Sequence, residues 1–153
     1  MITAINISAV KAICSWKYPE PYDVYNYMSF DEAVKTNSPL LKGENKDNYI
    51  CFWEGEILTA YINIYKKNEM IFLGIGLSPD YCGKGLGKTY LNQGIETAKT
   101  RYPGKEIWVQ VRSWNTKAIK CYESCGFAEK YKEIIKDRFG NDEEFVFMCW
   151  EKK

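Results

Sequence analysis

The stretch of this 153-residue chain best equipped for chemistry is Gly83-Lys84-Gly85-Leu86-Gly87-Lys88. Glycines let the backbone turn tightly and present successive N–H groups, and the start of a helix adds about half a positive charge. Between a strand and a helix such a turn suits a phosphate, with Lys84 and Lys88 as point charges. The remaining reactive groups are six cysteines and twelve tyrosines; there is no histidine. Without an imidazole, neither a Ser-His-Asp or Cys-His nucleophile nor a Cys2His2 zinc site can be built. Cys14, Cys51, Cys82, Cys121, Cys125 and Cys149 include no Cys-x-x-Cys pair and read as reduced, packed thiols. Cys121 and Cys125 fall one helical turn apart, and two thiolates do not complete a four-ligand site, so no metal is expected.

Spacing discriminates among phosphate ligands. A Walker A loop ending in Gly87-Lys88-Thr89 needs a glycine at 82, where the chain has Cys82, and a dinucleotide fingerprint from Gly83 and Gly85 needs a third glycine at 88, which is Lys88. A P-loop-like nucleotide binder stays open only as an alternative. The net charge of +1 supplies no field for a polyanion, so nucleic acid is not an expected partner. No apolar run approaches the ~20 residues of a bilayer span, so a membrane is not expected either, and a cytoplasmic location is. The length predicts one domain, 1–153, burying roughly 68–70% of its unfolded surface.

The elements that must position the turn follow from periodicity. Residues 8–17 predict a helix capped by Ser8; an aromatic loop broken by Pro19 and Pro21 leads to a short helix over 29–35, with Ser29 and Glu32 in capping-box spacing. Residues 48–53 and 57–65 read as a hairpin around Glu54-Gly55-Glu56, and Met70 to Leu77 as a strand covered on both faces. Leu86, Tyr90, Leu91, Ile95 and Ala98 form a 3.6-period stripe, predicting a helix over 85–101. A strand at 107–111, a helix at 115–125 stopped by Gly126, and strands near 128–135 and 144–151 around a turn at Gly140-Asn141 complete the order, with Met1 to Ile5 as a short first strand. The pattern is α/β (α+β): one mixed central sheet of six to seven strands with helices on both faces.

Leu77-Ser78-Pro79-Asp80-Tyr81-Cys82-Gly83-Lys84-Gly85-Leu86-Gly87 resembles the acyl-CoA loop of the GNAT superfamily of N-acetyltransferases: Arg or Gln, two residues, Gly, one residue, Gly or Ala. Gly85 and Gly87 fill the glycine positions, and Cys82 stands where the family has Arg or Gln. Val111 to Phe127, with Asn115, Ala118, Tyr122 and Gly126-Phe127, is similar to the family's second stretch. The resemblance covers most of the chain after residue 48. It implies a mostly antiparallel sheet and transfer of an acetyl group from acetyl-CoA to a primary amine within a ternary complex, the acceptor being a small molecule or a protein.

By the same resemblance, the backbone N–H groups around Cys82, Gly83, Lys84, Gly85, Gly87 and Lys88 hold the pyrophosphate. Ile75 and Leu77 pair with pantetheine, Asn115 contacts the cofactor, and Tyr122 is the general acid. Gly74 and Gly76 fit a close backbone approach there. Asn115 has an equally good local role as a helix cap. Among carboxylates, Asp23, Glu54 and Glu69 are candidate bases with none preferred. Tyr22 and Tyr25, among Glu20, Asp23, Asp31 and Glu32, are expected to line an acceptor site for a cationic, partly apolar amine. A non-catalytic acyl-CoA-binding module of the same fold is the second reading, and a homodimer is compatible with either.

Overall fold

The computed structural model describes residues 1–151; of the expected 1–153 domain, Lys152 and Lys153 lie outside them. Seven strands form one mixed sheet in the order β1-β2-β3-β4-β5-β7-β6. They are β1 (Ile2–Thr3), β2 (Tyr49–Glu54), β3 (Ile57–Lys67), β4 (Met70–Leu77), β5 (Ile107–Arg112), β6 (Phe127–Lys136) and β7 (Asp142–Trp150); the helices are α1 (Ile7–Ser15), α2 (Phe30–Lys35), α3 (Leu86–Arg101) and α4 (Thr116–Ser124). The chain divides into two compact units: Met1–Asn63 with Ile75–Leu86, and Ile64–Gly74 with the residues from Gly87 onward.

In the first unit α1 is capped by Asn6, not by Ser8 as expected: the Asn6 Oδ1 accepts the N–H of Ala9 at 2.8 Å. Asparagine and serine cap equally well, and Ala9, Val10, Ile13 and Cys14, at helical spacing, make the buried face of α1. The expected Ser29 cap of α2 is present, its Oγ accepting the N–H of Glu32 at 3.2 Å. Val10, Ile13, Trp16, Ala33, Leu40, Cys51 and Leu58 form the core, with Tyr18, Tyr49 and Tyr61 packed against it. β2 pairs antiparallel with β3 from Tyr49↔Asn63 to Glu54↔Ile57, and a register shift between Phe52 and Trp53 kinks the ladder.

In the second unit Asn68 and Glu69, at φ 51° and 65°, turn β3 back into β4 without a glycine. β4 and β5 are parallel, in register at Ile71↔Ile107 and Phe72↔Trp108, so a crossover must join them, and α3 is that crossover. α3 buries Leu91, Gly94, Ile95 and Ala98 at helical spacing. β7 lies between β5 and β6 and is antiparallel to both. The expected turn at Gly140-Asn141 is part of a wider loop in which the Asp137 carboxylate accepts the N–H groups of Phe139 (2.9 Å) and Asn141 (3.0 Å). Asp137 and Glu143 both lie close to the buried Arg112, at 3.6 and 3.8 Å, tying the loop to the end of β5.

β4 departs from its expected burial at one end. Ile71, Phe72 and Leu73 are buried, but Gly74, Ile75, Gly76 and Leu77 are only partly covered. A run of apolar residues cannot by itself distinguish a strand covered along its whole length from one opened at its end.

Candidate functional site

The partly covered end of β4 leads into the glycine-rich turn. Ser78 donates its N–H to the Thr59 carbonyl at 2.9 Å, which places the backbone groups of Ser78 on the β3 edge. Successive residues of a strand alternate their edges, so Ile75 and Leu77 present N–H and C=O to the opposite edge. The Tyr18 hydroxyl donates to the Leu77 carbonyl at 2.5 Å, and the Cys82 Sγ lies 4.0 Å from the same oxygen. Gly76 fits the ring of Tyr61, which leaves no room for a β-carbon: one built there falls 2.3 Å from Cε1.

A short 3-10 turn over Pro79–Tyr81 then delivers the chain to Cys82, Gly83, Lys84 and Gly85, all exposed. Gly83 and Gly85 both have φ 74°, the left-handed region that other residues adopt only at a cost. A β-carbon built at either meets nothing within 4 Å, so the backbone turn and not crowding calls for glycine. The Lys84 ammonium lies 5.5 Å from the Tyr81 ring centroid. An exposed turn with two left-handed glycines directly before a sixteen-residue helix fits a pyrophosphate.

The second unit carries the remaining predicted residues. Gly87 opens α3 against α4, where a β-carbon would stand 3.3 Å from the Cys121 Sγ. Asn115, 8% exposed, caps α4 by accepting the N–H of Ala118 at 3.2 Å, so the cap role is realised. Tyr122 is buried on α4 with its ring edge-on to Phe127, the centroids 5.8 Å apart. Burial pushes the Cys121 and Cys125 thiols up, so neither is primed as a thiolate. Among the described residues no group of three or more Cys, Asp or Glu is placed to hold a metal ion.

Tyr22 and Tyr25 lie on a 3-10 turn over Tyr22–Tyr25, with Tyr22 half-buried and Tyr25 37% exposed. An aromatic residue that this segment brings to β4 is Tyr18. Its amide donates to the Asn26 Oδ1 at 2.8 Å, closing the loop that Pro19 and Pro21 open. Burial pushes the Tyr18 phenol well up, and the neighbouring Tyr61 and Cys82 add to the rise, so it is neutral over any ordinary pH. Sequence spacing did not single out Tyr18 or Tyr61; the only signal was the density of aromatics around two prolines.

A groove of about 440 Å³ in the first unit is lined by Trp16, Lys17, Glu56, Ile57, Ser78 and Asp80 among others, and so touches the residue that follows Leu77. Of the three candidate bases, Glu69 lies at the opposite end of β4 from Leu77 and is claimed by Lys105 (2.7 Å) and Lys66 (3.4 Å), which hold its carboxyl low. Asp23 and Glu54 are exposed.

Known proteins are similar to this chain. A spermidine N(1)-acetyltransferase from Vibrio cholerae is 24% identical over 128 residues, which cover 82% of this chain and 71% of the relative. The [ribosomal protein bS18]-alanine N-acetyltransferase of Escherichia coli is 32% identical over 88 residues, 58% of this chain and 59% of that one, so the match spans under two thirds of its length. A solved chimera of spermidine N-acetyltransferase from Vibrio cholerae superposes with a TM-score of 0.76 at 20% identity, covering 98% of this chain and 94% of that chain, and shares its fold. Residues 9–127 match the Acetyltransferase (GNAT) family, running through both compact units from α1 to the start of β6. With that match over most of its length, the chain belongs to the acetyltransferase (GNAT) family, the acyltransferases that move an acetyl group onto an amine.

Proposed function

We infer that this acyltransferase takes its acetyl group from acetyl-CoA and passes it directly to a primary amine, acting as one domain over residues 1–153. The observation that carries the reading is the partly covered end of β4 running straight into the exposed turn of Gly83 and Gly85 at the start of α3. The turn supplies N–H groups for a pyrophosphate, with Lys84 and Lys88 as point charges. Ile75 and Leu77 offer backbone donors and acceptors, on the edge away from β3, for the amides of pantetheine. Cys82, in place of the family's Arg or Gln, contributes no charge, so the backbone carries this part of the binding. Asn115 holds the first turn of α4 and thereby sets the position of Tyr122.

Acetyl-CoA supplies an activated thioester. A neutral amine forms the new C–N bond at its carbonyl carbon as the C–S bond breaks, and the Tyr122 hydroxyl gives its proton to the departing sulfur. The ammonium proton of the product leaves to solvent or to a carboxylate. All six cysteines are free thiols, the state that a reducing compartment maintains, which supports a cytoplasmic setting.

The acceptor is a small-molecule or protein amine. A screen over spermidine, an alanine-terminated peptide, lysine peptides and aminoglycosides, with free CoA as the readout, tests the reading. Amine-dependent CoA release is the expected result. Tight acetyl-CoA binding with no release against any amine would favour a non-catalytic acyl-CoA-binding module instead.

A further inference from the structure

The Tyr18–Leu77 contact has no counterpart among the roles assigned above. A strand carbonyl at the open end of β4 is a strong acceptor, and the cluster gives it a phenol donor from a loop 59 residues earlier in the chain. We propose that Tyr18 is an acceptor-positioning residue: its hydroxyl, anchored by donation to the Leu77 carbonyl, accepts an N–H of the incoming amine. This rests on the acetyltransferase reading of the site and assigns that reading its acceptor contact.

Three observations on the first unit carry the proposal. The phenol donates its single proton to Leu77 and keeps an oxygen lone pair for a second partner. Its anchor fixes that lone pair beside Leu77, one of the two residues whose backbone faces the edge away from β3. A groove lined by Trp16, Lys17, Glu56 and Asp80 among others also touches Ser78, the next residue. Tyr18 itself is only half-buried, so a substrate can reach it, while the Asn26 contact and the packing of its ring against the core keep it from swinging away.

The Leu77 carbonyl has two lone pairs, so it can accept the Tyr18 hydroxyl and still take a second donor, and the contact leaves the Ile75 and Leu77 backbone open to the thioester arm. The phenol does not act as a base, because its proton is held too tightly at ordinary pH.

The test is steady-state kinetics of Tyr18→Phe, which keeps the ring, against spermidine, n-butylamine and an alanine-terminated peptide, with acetyl-CoA affinity measured by calorimetry. The expected result is a fall of about tenfold in kcat/KM for the amine, the worth of one hydrogen bond, with the acetyl-CoA Kd within twofold of wild type. Unchanged amine kinetics, or parallel losses for amine and acetyl-CoA, overturn the proposal, since a packing role would produce one or the other. If the wild type binds acetyl-CoA but releases no CoA against any amine of the wider screen, the acetyltransferase reading fails first and this inference falls with it. A crystal structure of the wild type with the amine it turns over fastest serves independently of how the variant folds. Tyr18 Oη within about 3.2 Å of the amine nitrogen supports the proposal; a bound amine that avoids Tyr18 overturns it.

Discussion

The ring of Tyr61 lies directly over Gly76, so that a β-carbon built on the glycine would fall 2.3 Å from Cε1 and 2.7 Å from Cζ. Tyr61 cannot retreat freely, because its other face stacks on Trp16 with the ring centroids 6.0 Å apart. Gly76→Ala is therefore expected to overpack this end of β4 at a cost of about 1–3 kcal/mol. That lowers the melting temperature by roughly 2–4 °C for each kcal/mol. Combining it with Tyr61→Ala should recover part of the cost, in a double-mutant cycle read by thermal melting. Equal melting temperatures for wild type and Gly76→Ala would show that the contact does not constrain the strand.

Tyr122 is buried and packed edge-on against Phe127, so Tyr122→Phe preserves the ring contact and removes only the hydroxyl. If that hydroxyl protonates the leaving sulfur, kcat falls by about a hundredfold or more while the acetyl-CoA affinity stays within twofold. Presteady-state and binding measurements on the one variant separate the two quantities. A variant with full turnover would remove Tyr122 from the chemistry.

The thiols differ in ways that alkylation can rank. Cys82 is the exposed one; Cys14, Cys51 and Cys149 are buried, and burial lifts the Cys51 thiol to about 11. Iodoacetamide mapped by mass spectrometry at pH 8 should label Cys82 first and Cys51 last, and CoA should protect Cys82 because the phosphate turn begins there. Labelling of Cys82 that CoA leaves untouched would place the pyrophosphate elsewhere.

Asp137 makes the hairpin loop sensitive to acid. The Asn141 and Phe139 amides and the Arg112 guanidinium hold its carboxyl below the ordinary range. A carboxyl whose pKa is depressed by folding stabilises the native state fully above its unfolded value of about 3.9, and that contribution is lost as the pH falls through the folded value. Wild type and Asp137→Asn should therefore differ most in stability at neutral pH, and the difference should shrink steadily below about pH 5. A difference that does not vary with pH would mean that the charge contributes nothing.

Much of this architecture was legible in the sequence because it rests on periodicity and on residues with few conformational options. The stripe of Leu91, Ile95 and Ala98 fixed α3, and Gly83 and Gly85 marked a turn that requires left-handed backbone. The Asn68-Glu69 turn was not legible, since neither residue demands positive φ. Nor was the Asn6 cap distinguishable from one at Ser8, because both residue types cap. At the site, the backbone functions could be read from their motif, but Tyr18 could not. Its partner is a main-chain carbonyl 59 residues away, a contact that no side-chain pattern encodes.

The most direct measurement is mass spectrometry of the products when the protein is given acetyl-CoA labelled with deuterium in its acetyl group, together with the best amine from the screen. The account predicts that the label appears on the amine nitrogen in step with free CoA, and that Tyr122→Phe slows both equally. Free CoA released with the label recovered as acetate, or label retained on the protein in place of the amine, would contradict it.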